Sequence, residues 1–389
     1  MLFKHAVWAM AFRPFYALAA LFGALSILLW GFGYQGTAEL PSFYWHAHEM
    51  IWGYAGAVVV GFLLTAVTAW TGQPPTRGGA LFALTALWLL ARLALYLPDG
   101  AAISGISGTV FFWYAAVCMA LPVIRSRNAR NYIAIAALFV FGLTHAVFHL
   151  YLQPFQAGAL LNGLLAGLVM VAGFIGLVGM RIMPFFTAKR LNIAQVASPM
   201  WVALSALVLP MLMAVLMMFQ TALPLAGLLG IAAGLINLVQ VFRWWHKDVV
   251  REPMLWVLFA GYFFTALGLL VTGIAQWLPA YLSLGVHLIG VGGIGLLTLG
   301  MMARTALGHT GHAIYPLPSP VPLAFWLMVL ATLARVFAAF TSGAAYTPQH
   351  LLLGGFIRAG AAFVCMALYS VAAQAARRWQ AGINIDIFH

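Results

Sequence analysis

The chain has 389 residues, of which 65% are hydrophobic and only 6% carry a formal charge. A soluble domain carries about a quarter charged residues, so a water-exposed surface is excluded for most of this chain and lipid is its solvent. The formal net charge of +12 reports topology, because excess Lys and Arg in a membrane protein marks one side of the bilayer; no nucleic-acid partner is expected. The two cysteines, Cys118 and Cys365, lie in apolar runs with no CxxC, which indicates neither a disulfide framework nor a thiolate metal site.

The N-terminal stretch is basic and shows no small-residue cleavage site after its apolar run, so the first helix is read as retained. A spanning helix needs about 20 mostly apolar residues, and twelve segments qualify: about 15–33, 46–69, 79–97, 101–124, 131–150, 157–183, 198–218, 222–243, 254–275, 281–303, 321–341 and 350–376. The expected fold is therefore all-α, a polytopic membrane protein of twelve transmembrane helices in one domain. No gap is long enough for a soluble domain. If the helices alternate, Lys4, Arg13, Arg77, Arg125, Arg127, Arg130, Arg181, Lys189, Arg190, Arg243, Lys247, Arg251, Arg304, Arg377 and Arg378 share one side, fifteen of the 18 basic residues. The opposite loops hold Glu39 and Asp99 and no Lys or Arg. The positive-inside rule then puts both termini in the cytoplasm of a bacterial inner membrane.

Helices one, five and nine read alike, and helices two, six and ten are each Gly-rich. Three parallel four-helix repeats, at 12–125, 130–245 and 252–378, account for this. Chance likeness between apolar helices accounts for it too. Glycine on one stripe lets helix backbones approach closely without water to drive them together, which places the Gly-rich helices in an inner ring.

Ionisable groups inside a membrane span are candidates for function. Arg92, Arg335 and Arg358 remain after the basic side is counted, and all fall in the opposite half. The only acids at that depth are Glu49 and Asp99, which leaves room for an anionic ligand; snorkelling toward the headgroups is the competing explanation. His46 and His48 open helix two, His145 and His149 end helix five, His287 opens helix ten and His350 opens helix twelve. Six of the 11 histidines thus share the half that holds those arginines. His145 and His149, spaced i,i+4, project from one helix face and suit two ligands of one metal, or a ligand and its supporting partner. His46 and His48 stand about 200° apart on an ideal helix, so they do not aim at one atom unless the helix starts between them. His46 shares a face with Glu49 and Gly53, and His48 with Trp52. With little thiolate or carboxylate available, imidazole is the only ligand type for a metal here. Haem propionates would account for buried arginine, and His with Arg at one depth suits a haem site.

Several strings recur in a fixed order: Phe12-Arg13-Pro14-Phe15, Trp45-His46-Ala47-His48-Glu49-Met50, Trp88-Leu89-Leu90-Ala91-Arg92, Phe148-His149-Leu150, Met180-Arg181-Ile182-Met183-Pro184-Phe185-Phe186-Thr187, and Arg304 through Gly308-His309-Thr310-Gly311. Together they resemble the NnrS family from residue 12 to about 335. The resemblance implies a haem- and copper-containing membrane protein of nitric oxide metabolism, denitrification or nitrosative-stress tolerance, with nitric oxide or another small gas as candidate ligand. It does not fix a reaction, so enzyme status stays open. Positions matching the family strings are Arg13, His46, His48, Glu49, Arg92, His149, Arg181, His287, Arg304, His309 and Arg335. His145, His350 and Arg358 are added by depth alone. His312 stands where the family often has Arg.

The expected haem lies between helices two, five and ten, with axial ligands from His46, His48, His149 and His287. Arg92, Arg335 and Arg358 would face its propionates, and His145 or His350 would serve a nearby copper. Glu49 is expected to fix a histidine tautomer rather than relay protons. A second polar group on the basic side, Arg13, Arg181, Arg304 and His309 near Met180, Met183, Met301 and Met302, reads as topology or as a second cofactor edge. Two other classes compete: a secondary transporter of an anion, suited by twelve helices and parallel repeats, and a haem or copper assembly factor.

Overall fold

The computed structural model describes residues 5–309, 315–318 and 320–341. Among them are eleven long helices and no named strand: α1 (Phe12–Gly31), α2 (Ser42–Thr71), α3 (Gly79–Ala94), α4 (Gly100–Arg125), α5 (Tyr132–Leu150), α6 (Ala157–Leu191), α7 (Met200–Met218), α8 (Leu223–Trp244), α9 (Pro253–Ile274), α10 (Pro279–Gly308) and α11 (Pro320–Thr341). All but α3 are long and apolar enough to cross a membrane. In hydrocarbon every backbone N–H and C=O must be satisfied within the segment, so apolar runs of this length become helices. The chain is a polytopic all-α membrane protein. The twelfth expected span, about 350–376, lies outside the described residues.

The expected boundaries hold to a few residues, with three differences. α6 was expected to stop before Pro184; it runs on to Leu191 with Pro184 inside it. A proline costs one backbone hydrogen bond, which helices packed among others in a membrane tolerate. α3 has 16 residues and spans only about 24 Å, so Arg92 falls in its last turn. The third difference is internal. α2 and α10 each contain a π-helical segment, Glu49–Ala55 and Leu288–Gly295, beginning one residue after a histidine, His48 and His287. Such widened turns are frequent at functional sites.

Burial sorts the helices into layers. In the best-spanning window of α6, 89% of residues are buried, against 67% in α2, 61% in α9 and α10, and 33% in α1 and α11. The Gly-rich helices α2, α6 and α10 thus lie inside, joined there by α9. The wide turn of α2 leaves the Gly53 carbonyl to accept a hydrogen bond from Trp88 Nε1 at 3.0 Å, which ties α3 against α2 one turn from Arg92.

Candidate metal centre

α2, α3, α4 and α5 meet at the ends opposite the basic loops. His48 is fully buried in α2, and α5 brings His145 and His149 to the same face one turn apart. His48 Nε2 lies 3.3 Å from His145 Nε2 and 3.1 Å from His149 Nε2. One ligand atom from each of the three lies within 4.8 Å of the other two, and among the described residues this is the one such group of His, Cys, Asp or Glu.

The outer nitrogens explain the orientation. His48 Nδ1 meets Glu49 Oε1 at 2.7 Å. A carboxylate only accepts, so the Nδ1 proton is donated to Glu49 and the Nε2 lone pair is left facing inward. His145 Nδ1 sits 3.0 Å from the Thr109 hydroxyl of α4, and its Nε2 also points inward. Lone pairs held 3.1–3.3 Å apart repel unless a proton or a cation lies between them. Nitrogens about 2.0–2.1 Å from a tetrahedral ion stand roughly 3.3 Å from each other. The observed spacing suits one ion held by three neutral imidazoles.

α4 makes room for this group. A Cβ on Gly108 would lie 2.5 Å from His145 Cε1, and one on Gly105 would lie 2.8 Å from the His149 ring. Only glycine at these two positions lets α4 pass over the imidazoles. Gly53 serves the carboxylate similarly, since a Cβ there would meet Glu49 Oε2 at 2.9 Å. Aromatic rings close the sides: Trp52 and Phe148 stand 5.2 and 5.4 Å from His48, and Phe112 stands 6.1 Å from His145.

Arg92 completes the surroundings. Its Nε lies 3.0 Å from Glu49 Oε2, and both side chains are almost wholly buried. Glu49 therefore bridges a guanidinium and the imidazole of His48. His48, His145 and His149 all lie within electrostatic reach of Arg92.

His46 leaves this group. Its ring stacks on Trp30 with centroids 4.6 Å apart and planes 15° from parallel, and its electrostatic neighbours are His287 and Arg335. The helical phase that separates His46 from His48 sends one toward α10 and α11, the other toward α5. His287 Nδ1 donates to the Ser283 carbonyl at 2.7 Å, which makes its Nε2 an acceptor. The single convergence expected of His46, His48, His149 and His287 is therefore corrected to two groups: His48, His145 and His149 in one, His46 and His287 with Arg335 in the other. His350, Arg358 and the side chain of His309 lie outside what is described.

The residues of the basic side do not converge. Arg13 donates to the Ala6 carbonyl, Arg181 to Asn131 Oδ1 and the Arg130 carbonyl, and Arg304 lies over the Phe186 ring at 3.6 Å. Met183 and Met301 line a small apolar cavity of about 80 Å³ between α1, α2, α6, α9 and α10, while Met180 and Met302 are buried core residues.

Sequence reasoning missed Thr109, Gly105 and Gly108. The only signal for them was a run of small residues at the start of α4, which reads as close packing until the histidines are seen beneath it.

Buried histidines on a bundle of apolar helices define the class: a polytopic membrane protein with a site suited to metal. The chain belongs to the NnrS protein family, whose sequence pattern matches residues 6–376. No curated protein matches alongside it.

Proposed function

We propose that His48, His145 and His149 hold a single copper ion, and that the protein acts with haem in nitric oxide metabolism or nitrosative-stress tolerance. The observation that carries this is the inward convergence of the three Nε2 atoms with Glu49 fixing His48 from outside. A ligating histidine that donates its other N–H to a carboxylate is the usual support of a metal site. An all-imidazole set suits copper, zinc or iron ions, and family membership favours copper among them.

The trio is too close to take a haem between its members. Nitrogens on opposite sides of one iron stand about 4 Å apart, and the rings of Trp52, Phe148 and Phe112 flank the group. His46, His287 and Arg335 are the better haem candidates. His46 Nδ1 is buried without a hydrogen-bond partner, His287 has its Nδ1 anchored on a carbonyl as ligating imidazoles do, and Arg335 suits a propionate. Bound haem would supply one-electron and diatomic-gas chemistry at that edge. This chain's residues would orient it and offset its carboxylates.

We place the protein in a bacterial inner membrane with the basic loops cytoplasmic, on the strength of the charge asymmetry. The π segments shared by α2 and α10 support a chain built of parallel four-helix repeats. The test is metal and optical analysis of purified protein. One copper per chain with a Soret band is expected. Protein that carries neither after expression with both supplied would overturn the proposal.

A further inference from the structure

Charge balance at the trio points to a ligand beyond the metal. Three neutral imidazoles bring no negative charge. Of the six acidic residues in the sequence, five are described, and Glu49 alone touches the centre. Glu39 instead caps the Ala101 N–H at 2.9 Å, Asp99 is exposed, and Asp248 and Glu252 pair with Arg251 and Arg190 on the basic side. The charge of Glu49 is already matched by Arg92. A copper ion at the trio would therefore leave at least one uncompensated positive charge in a buried, membrane-embedded site, and such burial is costly unless an opposite charge joins it.

The guanidinium beside Glu49 has donors to spare. Among the described residues Arg92 Nη2 is buried with no hydrogen-bond partner, and the Nε contact with Glu49 is an ion pair without good hydrogen-bond alignment. A buried donor left open in this way calls for an explanation such as a bound ion. The Ser104 hydroxyl, next to the glycine that seats His149, is buried and unpartnered as well. Three imidazoles on a tetrahedral ion leave one coordination position open.

We propose that the centre binds a small inorganic monoanion at the open position of the metal, with Arg92 as the residue that selects its charge. This rests on the copper reading of the trio. Neutral ligands would gain nothing from Arg92, whereas an anion gains a charge-assisted hydrogen bond in a low-dielectric site. The site would thus prefer triatomic or diatomic anions over neutral molecules of the same size.

The test uses full-length protein loaded with Cu(II), with azide as the probe, read by the azide-to-copper charge-transfer band and the EPR spectrum. Saturable azide binding is expected in the wild type. Arg92→Lys keeps the charge but loses the planar fork and should weaken azide by about tenfold. The double variant Arg92→Gln/Glu49→Gln removes both charges together, so that neither is stranded. Loaded with saturating copper, to offset the roughly tenfold weaker affinity expected of Glu49→Gln, it should bind azide about a hundredfold more weakly. Carbon monoxide binding to the Cu(I) form, a neutral control, should stay within about threefold in Arg92→Lys, which leaves Glu49 and the imidazoles in place. Copper-loaded wild type that ignores azide, or a copper-loaded double variant with unchanged azide affinity, overturns the anion site and leaves the copper reading standing. Failure of the wild type to bind copper at all overturns both.

Discussion

His48 and His46 are two residues apart on α2, yet they serve different ends of the molecule. His48 faces α5, where two more imidazoles, a carboxylate and a threonine fix its surroundings within hydrogen-bond distance. His46 faces Trp30 and the α10–α11 side, with His287 and Arg335 as its electrostatic neighbours. The first group is held by polar partners on the outer nitrogens of His48 and His145. The second is flanked by rings and holds a free imidazole nitrogen. A closed group of convergent lone pairs suits a bare ion; a looser edge beside the Arg335 guanidinium suits a larger anionic cofactor. Half a helical turn separates the two chemistries.

Substitutions should separate them too. The largest effect is expected at the ligands. His48→Ala, His145→Ala and His149→Ala should each remove copper, while the Soret band persists. His287→Ala should do the reverse, altering the Soret band while copper stays bound. Copper analysis and absorption spectra of the same preparations decide this, and a variant that loses both cofactors together would merge the two groups into one. Next come the glycine seats. Gly108→Ala puts a methyl 2.5 Å from His145 Cε1, and the ring has to move. Copper affinity should fall by about tenfold to a hundredfold, the range seen when support around a ligand is disturbed. Glu49→Gln keeps the shape but replaces an acceptor-only group, so His48 loses its fixed tautomer and affinity should drop by about tenfold. Thr109→Val removes one neutral hydrogen bond from His145, worth about 1 kcal/mol, and should cost a few-fold at most. His246→Ala, beside Asp248 on the basic side, should change neither signal. Competition with a chelator of known affinity ranks the whole series.

The helices were legible in the sequence because lipid enforces one rule, satisfied backbone under an apolar coat, and hydropathy reads that rule directly. Eleven of the twelve expected spans correspond to described helices, and the helix that runs past Pro184 to Leu191 outlasts the apolar run that marked its span. The site was legible in part. Spacing put His145 and His149 on one face and separated His46 from His48. It did not say which histidine goes with which, since that depends on how helices rotate against each other. The π segments after His48 and His287 were not legible at all: a widened turn leaves no mark in an apolar sequence beyond its glycines. Arg92 was expected to face a cofactor carboxylate, yet it pairs with Glu49, because α3 is short and tied to the Gly53 carbonyl through Trp88.

The central claim concerns three nitrogens around one ion. X-ray absorption at the copper edge on purified, copper-loaded protein should find three imidazole nitrogens at about 2.0 Å, and one fewer in His145→Ala with any copper that remains. Copper seen with sulfur ligands, or an unchanged three-imidazole shell after His145 is removed, would contradict the account.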